Sequence, residues 1–237
     1  MFKHVLWDMG GTLLDTYADV DACLFDHVRR YGRIAQLVEV SRLTRVSIAH
    51  AVDVLSERYG IPAADLQEGV DRLKHRWERH PPKVADGAQE VMAAVRRAGG
   101  FNLVVTHRDR ASAELLLRKR HLDLIDDMIC APDGYARKPD PQMYHLMVER
   151  HGLEEADCLG VGDRQLDCDA ARAAGISAAL LVPEIPARGV KEGKAVGNTS
   201  RRSPYLAEPT TLFITGLRQL LPFVEAKGEP DGSQPPR

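Results

Sequence analysis

Short uninterrupted apolar runs alternate along the chain with longer segments whose apolar residues recur every three or four positions. HVLW (residues 4–7), FNLVVT (101–106), DDMICA (126–131), CLGVG (158–162) and ISAALLV (176–182) read as strands. ASAELLLRKR (111–120), PQMYHLMVER (141–150) and DCDAARAAG (167–175) read as helices between them. Strands that are apolar throughout and separated by helices belong to a mostly parallel sheet covered on both faces. The expected core is therefore α/β in three layers.

Between the first two strands the period changes. Val20, Leu24, Val28 and Tyr31 form one helical stripe, Ile48, Val52, Leu55 and Tyr59 a second, and Leu66, Val70, Leu73 and Trp77 a third. This is too much helix for one crossover. The pattern predicts an all-helical insert over residues 16–82, with Pro81 and Pro82 stiffening its return and the core built from residues 1–15 and 83–225. Such an insert would sit over the carboxyl ends of the strands, where ligands of open α/β sheets bind. Residues 186–204 are glycine-rich and basic without periodicity. TTLFITGLRQLLPFVEA (210–226) suggests a closing helix, and residues 226–237 a flexible tail.

Composition narrows the class without naming a chemistry. A chain of 237 residues, 44% apolar and 28% charged, with a formal charge of −2, has no long-range field to draw nucleic acid or membrane. The four cysteines, Cys23, Cys130, Cys158 and Cys168, form no CxxC pair and read as buried reduced thiols, which fits a cytoplasmic protein. The opening MFKHVLWDMGG is too short an apolar run for a signal peptide or a membrane span, and no later stretch approaches about 18 uninterrupted apolar residues. A soluble monomer is expected, with a contact between two inserts left open as a route to a dimer.

Candidate chemistry lies where strands end. Asp8 follows the first strand, and Gly10 and Gly11 would let backbone approach an anion, although Asp8 read alone is equally a turn residue. Thr106 closes the second strand, where a hydroxyl ahead of helix amides suits a phosphoryl oxygen or simply a helix cap. In GYARKPDPQMY, Asp140 and Pro141 read as N-cap and first helical residue, placing Lys138 at the sheet edge, with Arg137 a weaker candidate beside it. Asp163 leaves the strand CLGVG, and Asp167 lies four residues on in the first helical turn, so the two carboxylates can converge on a hard cation such as Mg²⁺. Each position has an ordinary structural role available, but their recurrence after successive strands does not follow from four such roles.

In this order DMGGT, THR, RKP and GDRQLD resemble the four signature loops of the haloacid dehalogenase-like hydrolases, in the phosphoglycolate phosphatase-like branch with a helical cap inserted after the first strand. The resemblance covers residues 2–182 and implies a Rossmannoid core with the Asp8 strand central. It implies a phosphatase for a small phosphorylated metabolite, with Asp8 as nucleophile and Thr106 and Lys138 acting on the phosphoryl group. Gly11, Thr12 and His107 would help hold substrate, and Asp8, the Gly10 carbonyl, Asp163 and Asp167 would hold Mg²⁺.

One departure is chemical. Most phosphatases of this kind carry a second Asp two positions after the nucleophile, to protonate the leaving group and later activate water. Here that position is Gly10, which keeps a backbone carbonyl and lacks the carboxylate. His107 and Asp15 are the possible substitutes, with Asp19 a weaker one. The small residue also leaves open phosphonate C–P cleavage through a cap lysine, for which Lys74 is the candidate, and a phosphate- or Mg²⁺-binding protein without efficient turnover. Arg72, Lys74, Arg76 and Trp77 are cap residues that could face substrate, although Trp77 already belongs to a packing stripe.

Overall fold

The computed structural model describes residues 1–182 and 210–224. Strand β1 (His4–Trp7) leads through β2 (Leu14–Asp15) into helices α1 (Tyr17–Arg30), α2 (Leu37–Val46), α3 (Ile48–Tyr59) and α4 (Ala63–Trp77), and β3 (Lys83–Val84) returns the chain. Then follow α5 (Ala88–Arg97), β4 (Asn102–Thr106), α6 (Arg110–Lys119), β5 (Asp127–Cys130), α7 (Gln142–His151), β6 (Cys158–Gly162), α8 (Gln165–Ala173), β7 (Ser177–Leu181), β8 (Thr211–Ile214) and α9 (Leu221–Val224).

Six strands form one sheet in the order β5-β4-β1-β6-β7-β8, and every pair is parallel. Alternate residues of each strand feed opposite faces, as the pleat requires. Val5 and Trp7 join Val104, Leu159 and Val161 beneath α5, α6 and α9. Leu6, Leu103, Val105 and Cys158 join Met143, Tyr144, Cys168 and Ala171 of α7 and α8 on the other face. The expected three layers are therefore present. The amide side chain buried at the start of β4, Asn102, is satisfied on both ends: it accepts from Trp7 Nε1 at 3.1 Å and donates to the Met92 carbonyl at 3.0 Å.

The four helices between β2 and β3 pack around Val20, Leu24, Leu55, Val70 and Trp77, which are continuous with the apolar cluster under one face of the sheet. Their entry and exit are joined, because β2 and β3 pair antiparallel with Leu14 opposite Val84 and Asp15 opposite Lys83. Three of the helices follow the stripes read from sequence. The fourth, α2, was missed because it turns inward around a polar group. Asp21 of α1 is buried and accepts from Ser41 Oγ at 2.6 Å and Thr44 Oγ1 at 2.5 Å.

The closing segment also differs from expectation. Thr211–Ile214 is a strand paired with β7, and helix is confined to a 3₁₀ turn at Leu217–Leu220 and the single turn of α9. The run TTLFIT is β-branched and aromatic, which favours a pleated edge, and Gly216 follows it. The aperiodic reading of residues 186–204 and the tail at 226–237 lie outside the described residues. Cys130, Cys158 and Cys168 are buried free thiols, as expected, whereas Cys23 is only half-buried. No helix among the described residues is long and apolar enough to cross a membrane.

Candidate active site

Parallel strands deliver their carboxyl ends to one edge, and the four loops meet there. Asp8 is the first residue past β1, anchored by its amide on the Val161 carbonyl at 2.8 Å, and is 2% exposed. Lys138 enters from the loop before α7 and is also buried. Its Nζ donates to Asp8 Oδ1 at 2.7 Å and to the Val105 carbonyl at 3.0 Å, and pairs with Asp167 Oδ1 at 2.5 Å. Burial works against the ammonium, but Asp8 and Asp167 outweigh it and hold the lysine charged, well above its ordinary range. The peptide bond to Pro139 is cis.

Asp163 and Asp167 complete a cluster with Asp8 in which one carboxylate oxygen from each lies within 4.8 Å of the others. Asp167 is in the first turn of α8, where it accepts from the Arg164 amide at 3.1 Å. Asp163 Oδ1 accepts from Thr12 Oγ1 at 3.3 Å and its Oδ2 from the Tyr17 hydroxyl. Burial first, and the Asp8 charge second, push the Asp163 carboxyl up to about 7, against the Tyr17 hydrogen bond. The same two causes raise Asp167, against Lys138 and Arg164.

A hard divalent cation fits this set. Three oxygens converge, Asp8 Oδ2 is buried without a hydrogen-bond partner among the described residues, and a positive charge would relieve the crowding that raises Asp163 and Asp167. A linkage prediction follows. A carboxyl held above its unfolded value destabilises the fold once ionised, so metal-free protein loses stability as pH rises from about 5 through 7, the reverse of a salt-bridged Asp. Thermal melts in EDTA should therefore fall in midpoint from pH 5 to pH 8, and added Mg²⁺ should raise the midpoint more at pH 8 than at pH 6. An equal Mg²⁺ effect at both pH values would contradict this.

The glycine loop is shaped by close approach. Gly11 has φ +94°, and a Cβ there would stand 2.7 Å from Asp163 Oδ2 and inside the Tyr17 ring. At Gly10, by contrast, a Cβ would meet only Thr16 Oγ1 at 3.7 Å and Cγ2 at 4.0 Å, so a side chain is accommodated.

Of the three substitutes for the missing carboxylate, none is brought to that task. His107 Nε2 accepts the Lys138 amide at 2.8 Å, so its lone pair is already used. Burial, then the charges of Lys138, Arg137 and Arg164, lower it to about 4, and the neutral ring keeps its proton on Nδ1. Asp15 is exposed in β2, and Asp19 accepts from Trp77 Nε1 at 2.6 Å.

Thr106 ends β4 nearly buried. Its Oγ1 accepts from the Arg108 amide at 3.1 Å, leaving its own hydrogen to donate. The expected cap at Asp140 is shifted by one residue. Pro141 is the N-cap, α7 begins at Gln142, and Asp140 Oδ1 accepts the Gln142 amide at 2.9 Å. Arg137 is exposed beside the site, and Lys74 is held on the surface of α4 by Asp71 at 3.1 Å.

Four groups escaped the sequence reading. Tyr17 opens α1 yet reaches Asp163, and the Arg45 guanidinium lies 3.6 Å over its ring. Arg164 lies beside the acidic cluster, its Nε 3.9 Å from Asp167 Oδ2, and Asp8, Asp167 and Asp163 outweigh its burial and raise it. The Arg108 guanidinium lies 5.3 Å over Trp77 of α4 and has no carboxylate within ion-pair distance among the described residues. Tyr17 and Arg45 read as ordinary helix residues. Arg108 and Arg164 did carry a signal, since each stands within two positions of a loop residue already chosen.

The chain is similar to known proteins. A family model described as haloacid dehalogenase-like hydrolase matches residues 2–175. The phosphoglycolate phosphatase of Nitrosospira multiformis is 31% identical over 212 residues, covering 82% of this chain and 87% of its own. Phosphoglycolate phosphatase 1 of Pseudomonas aeruginosa is 27% identical over 245 residues, covering 99% of this chain and 85% of its own. Among solved structures, a haloacid dehalogenase family hydrolase from Deinococcus radiodurans with bound phosphate and sodium superposes with a TM-score of 0.68 at 20% identity, covering 90% of this chain and 92% of that one.

Proposed function

We propose, on the premise that this chain belongs to the haloacid dehalogenase-like hydrolases, that it is a Mg²⁺-dependent phosphatase for a small phosphorylated acid, working through a phospho-aspartate at Asp8. The observation that carries this reading is the buried Asp8–Lys138–Asp167 contact, with Asp8 Oδ2 left unpaired beside Asp163.

An Asp8 oxygen attacks phosphorus and the bond to the substrate oxygen breaks, leaving an acyl phosphate on Asp8 and an alkoxide that needs a proton. Lys138 offsets the charge between nucleophile and phosphate, while Thr106 and the backbone amide of Thr12 hold phosphoryl oxygens; Gly11, expected to help, has its amide taken by the Leu14 carbonyl at 2.8 Å and serves by its lack of a side chain. Mg²⁺ held by Asp8, Asp163, Asp167 and the Gly10 carbonyl would supply charge neutralisation. Because Gly10 offers no acid, the alkoxide takes its proton from solvent. Water then cleaves the acyl phosphate without a carboxylate base beside it, so the second half-reaction is slow.

The Arg108 cation, which donates to Ser112 Oγ at 3.1 Å but has no carboxylate partner among the described residues, supports a substrate with a second acidic group, and the relatives named for phosphoglycolate point the same way. Purified protein should release phosphate from 2-phosphoglycolate with Mg²⁺ and lose that activity in EDTA. Arg108→Leu should raise the KM for 2-phosphoglycolate roughly 10- to 100-fold, the worth of a charge-assisted contact, and leave that for p-nitrophenyl phosphate nearly unchanged. Equal effects on both substrates would remove Arg108 from selection, and no Mg²⁺-dependent release from any phosphate monoester would remove the phosphatase reading.

Gly10 favours a second reading, a phosphate-binding protein that does not turn over. Calorimetry that detects phosphate binding without phosphate release from any ester would select it. Phosphonate cleavage through Lys74 has no such support, since Lys74 is paired with Asp71 on the cap surface.

A further inference from the structure

Helices α1 and α4 run antiparallel, and their contacts step evenly along the seam. Asp19 meets Trp77, His27 packs on Gly69, and Tyr31 donates to Asp65. On the outer side of this seam is a groove of about 290 Å³, at the lower end of small-molecule pockets. Gly69 sets its floor, because a Cβ there would stand 2.7 Å from His27 Nε2.

The groove is lined by three arginines, of which Arg72 has a carboxylate partner on its own helix. His27 Nδ1 lies 3.0 Å from the Cys23 carbonyl, which can only accept, so Nε2 presents its lone pair to Arg72 Nη2 at 3.3 Å. Arg72 is thereby aimed along the groove while also pairing with Glu68. Arg30 and Arg76 line the same groove and have no carboxylate within ion-pair distance among the described residues. Some exposed arginines elsewhere are paired, such as Arg58 with Glu39 and Arg218 with Asp86 and Glu90, while others such as Arg137 have no carboxylate partner among the described residues, so it is the gathering of three around one groove that sets this place apart. Asp19 and Asp26 also line the groove, but Asp19 is engaged by Trp77. At the Cys23 thiol the three arginines each act more strongly than Asp26, against the burial that raises it.

We propose that this groove is a second binding site, distinct from the Asp8 centre, for a small multivalent anion whose carboxylate or phosphate oxygens bridge Arg30, Arg72 and Arg76. Arginine forks suit planar, paired acceptors, and three of them around a small volume select more than one acidic group. The ligand would tie α1 to α4, whose other ends place Tyr17 on Asp163 and Trp77 beneath Arg108. The site stands on its own residues and does not depend on the phosphatase reading.

Cys23 supplies the reporter. It is the half-buried cysteine, whereas Cys130, Cys158 and Cys168 are buried with thiols pushed up to about 11, 12 and 12. The experiment measures Cys23 alkylation by iodoacetamide in metal-free full-length protein, titrated with pyrophosphate in one arm and tricarballylate in the other. Saturable protection by either anion supports the site and tells which acid fills it. In the Arg72→Gln/Arg76→Gln double variant, with an unchanged melting midpoint, the half-protecting concentration should rise roughly tenfold or more. Protection by neither anion, equal protection by KCl at matched ionic strength, or protection unchanged in the double variant would overturn the proposal.

Discussion

Replacing Gly10 with Asp should increase turnover of 2-phosphoglycolate by about 10²- to 10⁴-fold, the usual worth of a positioned acid/base. The backbone permits it, because a Cβ at Gly10 meets only ordinary contacts with Thr16, and Gly10 is not among the glycines held at positive φ. The gain should depend on the leaving group. With p-nitrophenyl phosphate, whose leaving group needs no proton, the first half-reaction should change little and the benefit should appear in hydrolysis of the acyl phosphate. Rapid-quench kinetics would then show a burst of phosphoenzyme in the natural protein that shrinks in Gly10→Asp. If turnover of both substrates stays the same, another group already performs the proton transfers and the role assigned to Gly10 fails.

Asp8→Asn should lower phosphate release by at least about 10³-fold, the scale on which loss of a nucleophile acts when no neighbour can replace it. Asp163 and Asp167 are committed to Tyr17, Thr12, Arg164 and Lys138, so neither is free to attack. The variant should still fold. Removing the Asp8 charge relieves the repulsion that raises Asp163 and Asp167, and Lys138 keeps Asp167 and the Val105 carbonyl. A melting midpoint equal to or above that of the natural protein in EDTA, together with loss of the phosphoenzyme burst, is the expected pair of results. Full activity in Asp8→Asn would end the nucleophile assignment.

The strands of the core were legible because their runs are apolar on both faces, and β1, β4 and β6 also close on a polar residue at one edge. Asp8, Thr106 and Asp163 are those closing residues, and the sheet brings their loops together. Helix α2 was not legible, because Val40 and Leu43 are joined on its inner side by Ser41 and Thr44, which turn onto the buried Asp21 and interrupt the apolar stripe. Strand β8 was misread because it runs directly into the helical LRQLLPFV, and its β-branched and aromatic run was read together with that helix instead of ending at Gly216. The cations were the hardest part. Closeness to Thr106 and Asp163 in the chain marks Arg108 and Arg164 as loop neighbours, but their partners, Trp77 about 30 residues upstream and Asp8 at the far end of the chain, come only from the fold.

The pairing of β2 with β3 has a consequence for how such a protein can be altered. Everything between them enters and leaves the sheet through one two-rung ribbon, with Leu14 and Asp15 facing Val84 and Lys83. A helical segment of different length or sequence could be grafted at that ribbon without shifting the register of the six parallel strands. Such a transplant would exchange the helical segment as a cassette, provided the incoming piece begins with a residue that, like Tyr17, reaches back to Asp163.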